Sequence, residues 1–364
     1  MSASAEHSEP PHAMVQLDGS LGEGGGQILR TSLTLSLLTG RPFRLSKIRA
    51  NRAKGGLRPQ HLTAFKVAAV LGNAKTTGGE IDSRQVTFAP QGLDCEDRTI
   101  DIGTAGSTGL VLQTIQLPIA MRSAQSVRIS LIGGTFNPKA PAFPFLKETW
   151  SAFLNTFGMP LSLAMPKAGF YPRGGGRLDA EIGPAARPAS FRKTARGPLT
   201  RIRVASGVAN LPDHIAERMI ARTTERLAPL FENIGAELIF EPLHWPSVGQ
   251  GAAVAIVAEY ADSIPATFVG IGERGKPAET VADEAIDEFL AFDAVEHAAV
   301  DPHSADQILL PLALAEGPSE YTVSEVTEHL RTNAATIRAF LDRKIVIDEP
   351  DGPGQPGTVT IHGS

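Results

Sequence analysis

The feature that most constrains this chain is its punctuation. Through the first half, short strand-like runs and helix-like runs alternate, and glycine turns separate them. "AMVQLDG" reads as a strand, and "LGEGGGQILRTSLTLSLLTG" (Leu21 to Gly40) as a glycine loop running into a helix that Gly40 ends. "FRLSKIRA" is a strand and "PQHLTAFKVAAVLG" a helix closed by Gly72; "QVTFAP" is a further strand. The helix-like "LVLQTIQLPIAM" follows "DIGTAGSTG", then "SVRISLIGG" as a strand and "FPFLKETWSAFLNTFG" as a helix. Such alternation predicts layered α/β or α+β architecture. The loops at Gly22, Gly103 and Gly174 precede loosely similar units, which points to a structural repeat.

The texture changes after "GFYPRGGGRLDAEIGP". "AARPASFRKTARGP" is linker-like. Beyond it lie the strand "LTRIRVASGVAN", the long amphipathic helix "PDHIAERMIARTTERLAPLFENIG", three strands and the acidic helix "PAETVADEAIDEFLAF". With "HSADQILLPLALAEG" the texture of the first half resumes, so the middle reads as an insertion. The expected organisation is a disordered tail over 1–13, a large domain over 14–195 and 297–364, and a small inserted α/β domain over 196–296. The chain closes with "EYTVSEVTEHLRTNAATIRAFLDR" and the short strand "TVTIHG".

One cysteine, Cys95, excludes an internal disulfide framework and fits a reducing, cytoplasmic setting. The polar start carries no signal-peptide pattern, and no apolar run is long enough to span a bilayer. A pI near 6.0 gives no hint of a nucleic-acid binder. The distribution of charge says more: Gly24 to Gly79 holds no acid but ten cations, and Ile102 to Leu146 is also free of acids. A basic N-terminal third on a mildly acidic protein can attract a polyanion locally.

Several stretches could carry chemistry. Helix N-termini leave amides free and favour anions, and glycines admit close approach. The Leu21–Gly40 loop is neither a Walker A sequence nor a Gly-x-Gly-x-x-Gly fingerprint, and Glu23 within it suits phosphate only with a divalent cation between them. "IRANRAKGGLRPQHLTAFK" gathers Arg49, Arg52, Lys54, Arg58 and His61, and arginine forks match phosphate oxygens. "TAGSTG", with Gln113 one turn on, is a small-residue helix entry, and "GGTFNPKAPAF" a rigid proline-bearing loop. In "TEHLRTNAATIRAFL", Thr332 or Asn333 is the expected N-cap, with His329 just ahead of the helix. No His-Glu-x-x-His, clustered Cys/His site or Gly-x-Ser-x-Gly elbow supports a zinc or serine hydrolase.

Taken in order, "LDGSLGEGGGQILR", "IRANRAKGGLRPQHL", "GTAGSTGLVLQT", "GGTFNPKAP", "GFYPRGGG", "ADQILLPLALA" and "EHLRTN" resemble the RNA 3′-terminal phosphate cyclases from Gln16 to Phe340. The resemblance implies a large domain of three βαβαββ-type repeats, akin to enolpyruvyl transferases, plus a small inserted α/β domain. It implies an enzyme in which a histidine attacks the α-phosphate of ATP to give adenylyl-histidine and pyrophosphate. AMP then passes to an RNA 3′-phosphate, giving RNA-(3′)pp(5′)A, and the 2′-hydroxyl closes a 2′,3′-cyclic phosphate. By motif matching His329 is the nucleophile, and Glu23 the ligand of Mg²⁺ or Mn²⁺ on the ATP phosphates. Arg30, Arg49, Arg52, Gln60 and His61 match the phosphate and RNA-end pocket; Gln113, Pro141, His303, Asp306 and Gln307 match the nucleotide pocket. RNA with a 3′-phosphate and ATP are the implied partners, with a homodimer on family grounds alone.

The sequence departs from the family pattern in three places. His303 stands at the aromatic position that packs on adenine, often Tyr, which puts base preference in question. Ala142 and Pro144 alter a usual Pro-Pro loop, and Ala168 replaces a basic residue before "GFYP". Two other readings use related scaffolds. A non-catalytic cyclase-like protein of ribosome biogenesis would lack the histidine and much of the nucleotide pocket. An enolpyruvyl-type transferase would use phosphoenolpyruvate in place of adenylylation.

Overall fold

The computed structural model describes residues 13–22, 25–52, 54–234, 236–350 and 352–363. The tail expected over 1–13 lies, apart from Ala13, outside them. The described residues form four four-stranded sheets with helices packed between and against them.

Three of the sheets repeat one topology. Val15–Asp18 pairs parallel with Phe43–Ser46, which pairs antiparallel with Val86–Ala89, and Lys75–Thr77 lies on the outside. Arg98–Asp101, Val127–Gly133, Gly176–Ile182 and Leu161–Lys167 follow the same spatial order with the same directions. So do Arg192–Lys193, Ser319–Val323, Gly357–Ile361 and Ile345–Asp348. Each parallel pair requires a helical crossover, because a tight turn can only join antiparallel strands. Gln27–Thr39, the helix at Thr108–Arg122 and the one at Pro302–Ala313 are those crossovers. A second helical segment in each unit leads to the closing hairpin, which gives three βαβαββ units, as expected.

Two sequence readings change here. The Gly174 turn opens the last strand of the second unit, Gly176–Ile182, and so is not equivalent to the loops at Gly22 and Gly103. The third unit instead starts inside the linker-like stretch, where Arg192–Lys193 pairs with Glu320 and Tyr321. Two residues carry no alternation, and only the partner strand makes them a strand.

Between Lys193 and Pro302 the third unit is interrupted by the fourth sheet, in the order Glu237–His244, Leu199–Ala209, Gly251–Tyr260, Ala266–Ile271. The helices His214–Ile234 and Ala278–Asp293 cover it around a core that includes Ile202, Met219, Ile256, Phe268 and Phe289. Its exit is fixed by Arg196, 4% exposed. The guanidinium donates to the carbonyls of Asp293 (2.7 Å), Val295 (2.6 Å) and Ala298 (2.7 Å), and lies over the rings of Tyr260 and Phe292. A cation here closes the carbonyl end of the Ala278–Asp293 helix, where backbone acceptors and the helix dipole both favour positive charge. Among the described residues no helix is long and apolar enough to cross a membrane.

Arg196→Met keeps the apolar stem but leaves three buried carbonyls without their donor. It is expected to destabilise the protein by about 3 kcal/mol and to lower the urea midpoint measurably.

Candidate active site

The N-terminal ends of several helices meet at one cleft of about 600 Å³. Gln27–Thr39 brings Gln27 and Arg30, Thr108–Arg122 brings Gln113, and Pro302–Ala313 brings His303, Asp306 and Gln307. His329 enters from the helix Glu328–Phe340, and Pro141 from the loop before Phe143. Seven residues picked from the sequence for the nucleotide, the phosphates and the nucleophile therefore line the same space: Arg30, Gln113, Pro141, His303, Asp306, Gln307 and His329.

Local sequence explains how they are held. Asp301 caps its helix, accepting from the amides of His303 (3.0 Å) and Ser304 (2.9 Å). Thr327, not Thr332 or Asn333, caps the last helix, its hydroxyl accepting from the Leu330 amide at 3.2 Å. His329 thus sits in the first helical turn instead of ahead of it. Asn333 and Thr332 are buried inside that helix. Asn333 bonds outward, accepting from the Thr31 hydroxyl (2.8 Å) and donating to the Asp306 carbonyl (2.6 Å). One amide side chain thereby ties the His329 helix to two of the crossover helices.

Hydrogen bonds connect the lining residues. His329 Nδ1 meets Gln27 Oε1 at 2.8 Å, and Gln27 Nε2 donates to the Asp306 carboxylate. Gln113 donates to Gln307 Oε1, and Gln307 Nε2 donates to the His303 carbonyl at 2.7 Å.

Burial sets the charge states. It pushes the Asp306 carboxyl up to about 7, against the pull of His303 and Arg30, and lowers Arg30 to about 10, where it stays cationic at neutral pH. His61 is buried, and burial with the cations Arg30, Arg49 and Arg58 brings its imidazole down to about 3. The Arg58 amide donates to His61 Nδ1 at 3.2 Å, so the neutral ring carries its hydrogen on Nε2. That nitrogen packs so closely on Gly26 that a Cβ there would collide with it and crowd the Arg30 guanidinium. This is one position where the loop needs glycine. His303 goes the other way: hydrogen bonding to Glu288, 3.4 Å from Nε2, raises it to about 9.

Arg49, Arg52, Gln60 and the buried His61 do not line the cleft. Arg49 lies in the left-handed region (φ 54°) and donates to the carbonyls of Lys54 and Gly56; burial and the charges of Arg58 and Arg52 lower its pKa. Arg52 and Gln60 are exposed near the start of Pro59–Leu71. Glu23, the expected metal ligand, lies outside the described residues. Among those described, no group of three or more His, Cys, Asp or Glu could hold an ion. Of the three departures, Ala142 and Ala168 are buried in one small apolar cluster with Phe136 and Phe170, where a charged side chain would lack solvent.

Sequence reasoning missed Gln27 and Glu288. Gln27 had a signal, since it opens the helix after the glycine loop and shares a face with Arg30 three residues on. Glu288 had none, being one acid among several on the exposed face of its helix.

In an NMR titration His303 is expected to lose its proton near pH 9, and Glu288→Gln to return it toward 6.5. The sign follows from the raised pKa: the pair's contribution is full below about 6.5 and is lost as pH rises through about 9.

A family model for RNA 3′-terminal phosphate cyclase matches residues 21–347. Curated relatives bearing that name include one from Pyrobaculum aerophilum, 41% identical over 341 residues, which is 93% of this chain and 96% of the relative. Another, from Caldivirga maquilingensis, is 40% identical over 333 residues (91% and 94%), and a third, from Koribacter versatilis, is 40% identical over 341 residues (93% and 93%).

Proposed function

Because the chain belongs to the RNA 3′-terminal phosphate cyclase family, we propose that it is an ATP-dependent ligase that converts an RNA 3′-phosphate into a 2′,3′-cyclic phosphodiester. The observation that carries this reading is the cleft, in which His329 shares one lining with Arg30, Gln113, Asp306 and Gln307. Its volume, about 600 Å³, suits a nucleotide-sized ligand.

The proposed chemistry has three displacements. His329 Nε2 attacks the α-phosphorus of ATP; the P–N bond forms and the P–O bond to pyrophosphate breaks. A 3′-phosphate oxygen of RNA then attacks that phosphorus, and the electron pair of the P–N bond returns to the ring. Finally the 2′-hydroxyl attacks the 3′-phosphorus, loses its proton, and expels AMP. A neutral imidazole suits the first step because it is nucleophilic near pH 7 and leaves readily from phosphorus.

Arg30, cationic at the cleft, supplies positive charge where oxygen charge accumulates. His61, neutral with its hydrogen on Nε2, can donate to a phosphate oxygen but is a poor proton acceptor there. Arg49, Arg52 and Gln60, around the same helix start, suit the RNA end. His303 and Pro141 are the proposed walls for the base, with Gln113, Asp306 and Gln307 at its edge. Mg²⁺ or Mn²⁺ belongs to the proposal through Glu23; such ions are commonly held by one or two carboxylates plus the substrate's own phosphates. Bound there, the ion would neutralise polyphosphate charge. The proposed division is a catalytic repeat domain over 14–195 and 297–364 with residues 196–296 inserted; the separate core of the fourth sheet supports it.

Incubation with α-labelled ATP and a divalent metal tests the mechanism. Acid-labile label is expected on the wild type and none on His329→Ala. An unlabelled wild type that still binds ATP would sink the adenylylation chemistry.

A further inference from the structure

We propose that Gln27 is the positioning residue of His329, holding the ring hydrogen on Nδ1 so that the lone pair resides on Nε2. The inference rests on the reading of His329 as nucleophile. It starts from the hydrogen-bond chain that joins three elements: His329 in its first helical turn, Gln27 at the start of the central helix, and Asp306 on the third crossover helix.

The direction of the chain is set by its far end. Gln27 Nε2 lies against the Asp306 carboxylate, and above pH about 7, where that carboxyl is ionised, it can only accept, so Asp306 takes the NH₂ end of the Gln27 amide. That turns the amide oxygen toward His329 Nδ1, 2.8 Å away. An amide oxygen accepts and never donates, so Nδ1 must carry the hydrogen. Gln27 is 8% exposed, and Asp306 is itself fixed through its carbonyl by Asn333, so the amide has little freedom to turn over.

An amide suits this place better than a carboxylate. A carboxylate on Nδ1 would favour the imidazolium, which has no lone pair to attack with. The glutamine selects the tautomer without adding charge. As the P–N bond forms and positive charge grows on the ring, the Nδ1–H bond to the amide oxygen strengthens. When the bond breaks again the electron pair returns to Nε2, and the Nδ1 hydrogen has not moved. His61 carries its hydrogen on the opposite nitrogen, which separates the donor ring from the nucleophile ring.

Nitrogen-15 NMR of histidine-labelled protein without nucleotide reads the tautomer directly, with the His329 signals identified by their loss in His329→Gln. The wild type is expected to show hydrogen on Nδ1. Gln27→Met, close in volume but unable to accept, should move it to Nε2 or to a mixture. The same variant should slow adenylylation by about 10- to 100-fold, by analogy with the loss when a metal-ligating histidine is deprived of its orienting partner. Gln27→Glu retains an acceptor and should keep hydrogen on Nδ1 while favouring the imidazolium, so its labelling rate should recover only as pH rises and the ring loses its Nε2 proton, a pH dependence that a purely packing role would not produce. Hydrogen on Nε2 in the wild type, or a Gln27→Met protein with the wild-type tautomer and rate, overturns the inference. A wild type with the stated tautomer, shifted in Gln27→Met but taking no label, upholds Gln27's hold on the ring and instead removes the nucleophile reading.

Discussion

The structure depends on a helix that has almost no solvent face. Along Gln27–Thr39, eleven of thirteen residues are buried, and several of those are Ser, Thr or Gln. Burying so many polar groups is costly unless each is bonded. The hydroxyls meet that demand in two ways. Ser32 returns to the Ile28 carbonyl at 2.6 Å, while Thr34 also reaches the Thr114 carbonyl at 2.8 Å and Thr31 reaches Asn333 at 2.8 Å. These last two bonds lock the helix against Thr108–Arg122 and Glu328–Phe340. The helix therefore cannot slide or rotate without orphaning a buried hydroxyl, and Gln27 and Arg30 at its entry are placed by the same bonds.

That dry junction also explains why neighbouring groups have such different charge states. Burial acts against charge on Asp306, Arg30 and His61 alike, raising the acid and lowering the two bases. Arginine starts so high that it stays cationic, whereas histidine becomes neutral. The result is one persistent cation beside a neutral donor ring. His303, at the open side, has a carboxylate partner in Glu288 and keeps its proton well above neutrality. An anionic ligand entering this cleft would meet positive charge at both ends.

Much of this was legible in the sequence, and the failures have physical causes. The glycine-closed helices and the alternating strand Val127–Gly133 follow local rules, so the α/β alternation could be read, while the βαβαββ unit was expected only from the family resemblance. Arg192–Lys193 and Lys75–Thr77 could not, because strands of two or three residues exist only through their partners. The cap of the His329 helix was misplaced because "TEHLRTN" offers several capping residues. Thr327 takes the role, while Thr332 and Asn333 are buried one turn on. The site residues came from ordered motifs, but sequence gives no distances. Only packing could reveal that Gln27 stands between His329 and Asp306, or that the basic segment divides between the buried His61 and the exposed Arg52 and Gln60.

The fourth sheet is the last piece of the design, and its position argues against a passive appendage. It leaves the third unit after Lys193 and returns before Pro302, the first residue of the helix that carries His303, Asp306 and Gln307. The return is fixed twice over. Arg196 ties the departing segment to the carbonyls of Asp293, Val295 and Ala298 on the way back. Against the second unit, Thr149 bonds to Thr267 at 2.8 Å and Arg203 pairs with Glu148 at 2.6 Å. Held at both places, the Ala278–Asp293 helix lays Glu288 beside His303, and Thr267, Val269 and Ile271 of the sheet join the cleft wall. The three repeated units thus supply the side of the cleft that carries His329 and Arg30, and the inserted sheet closes the other.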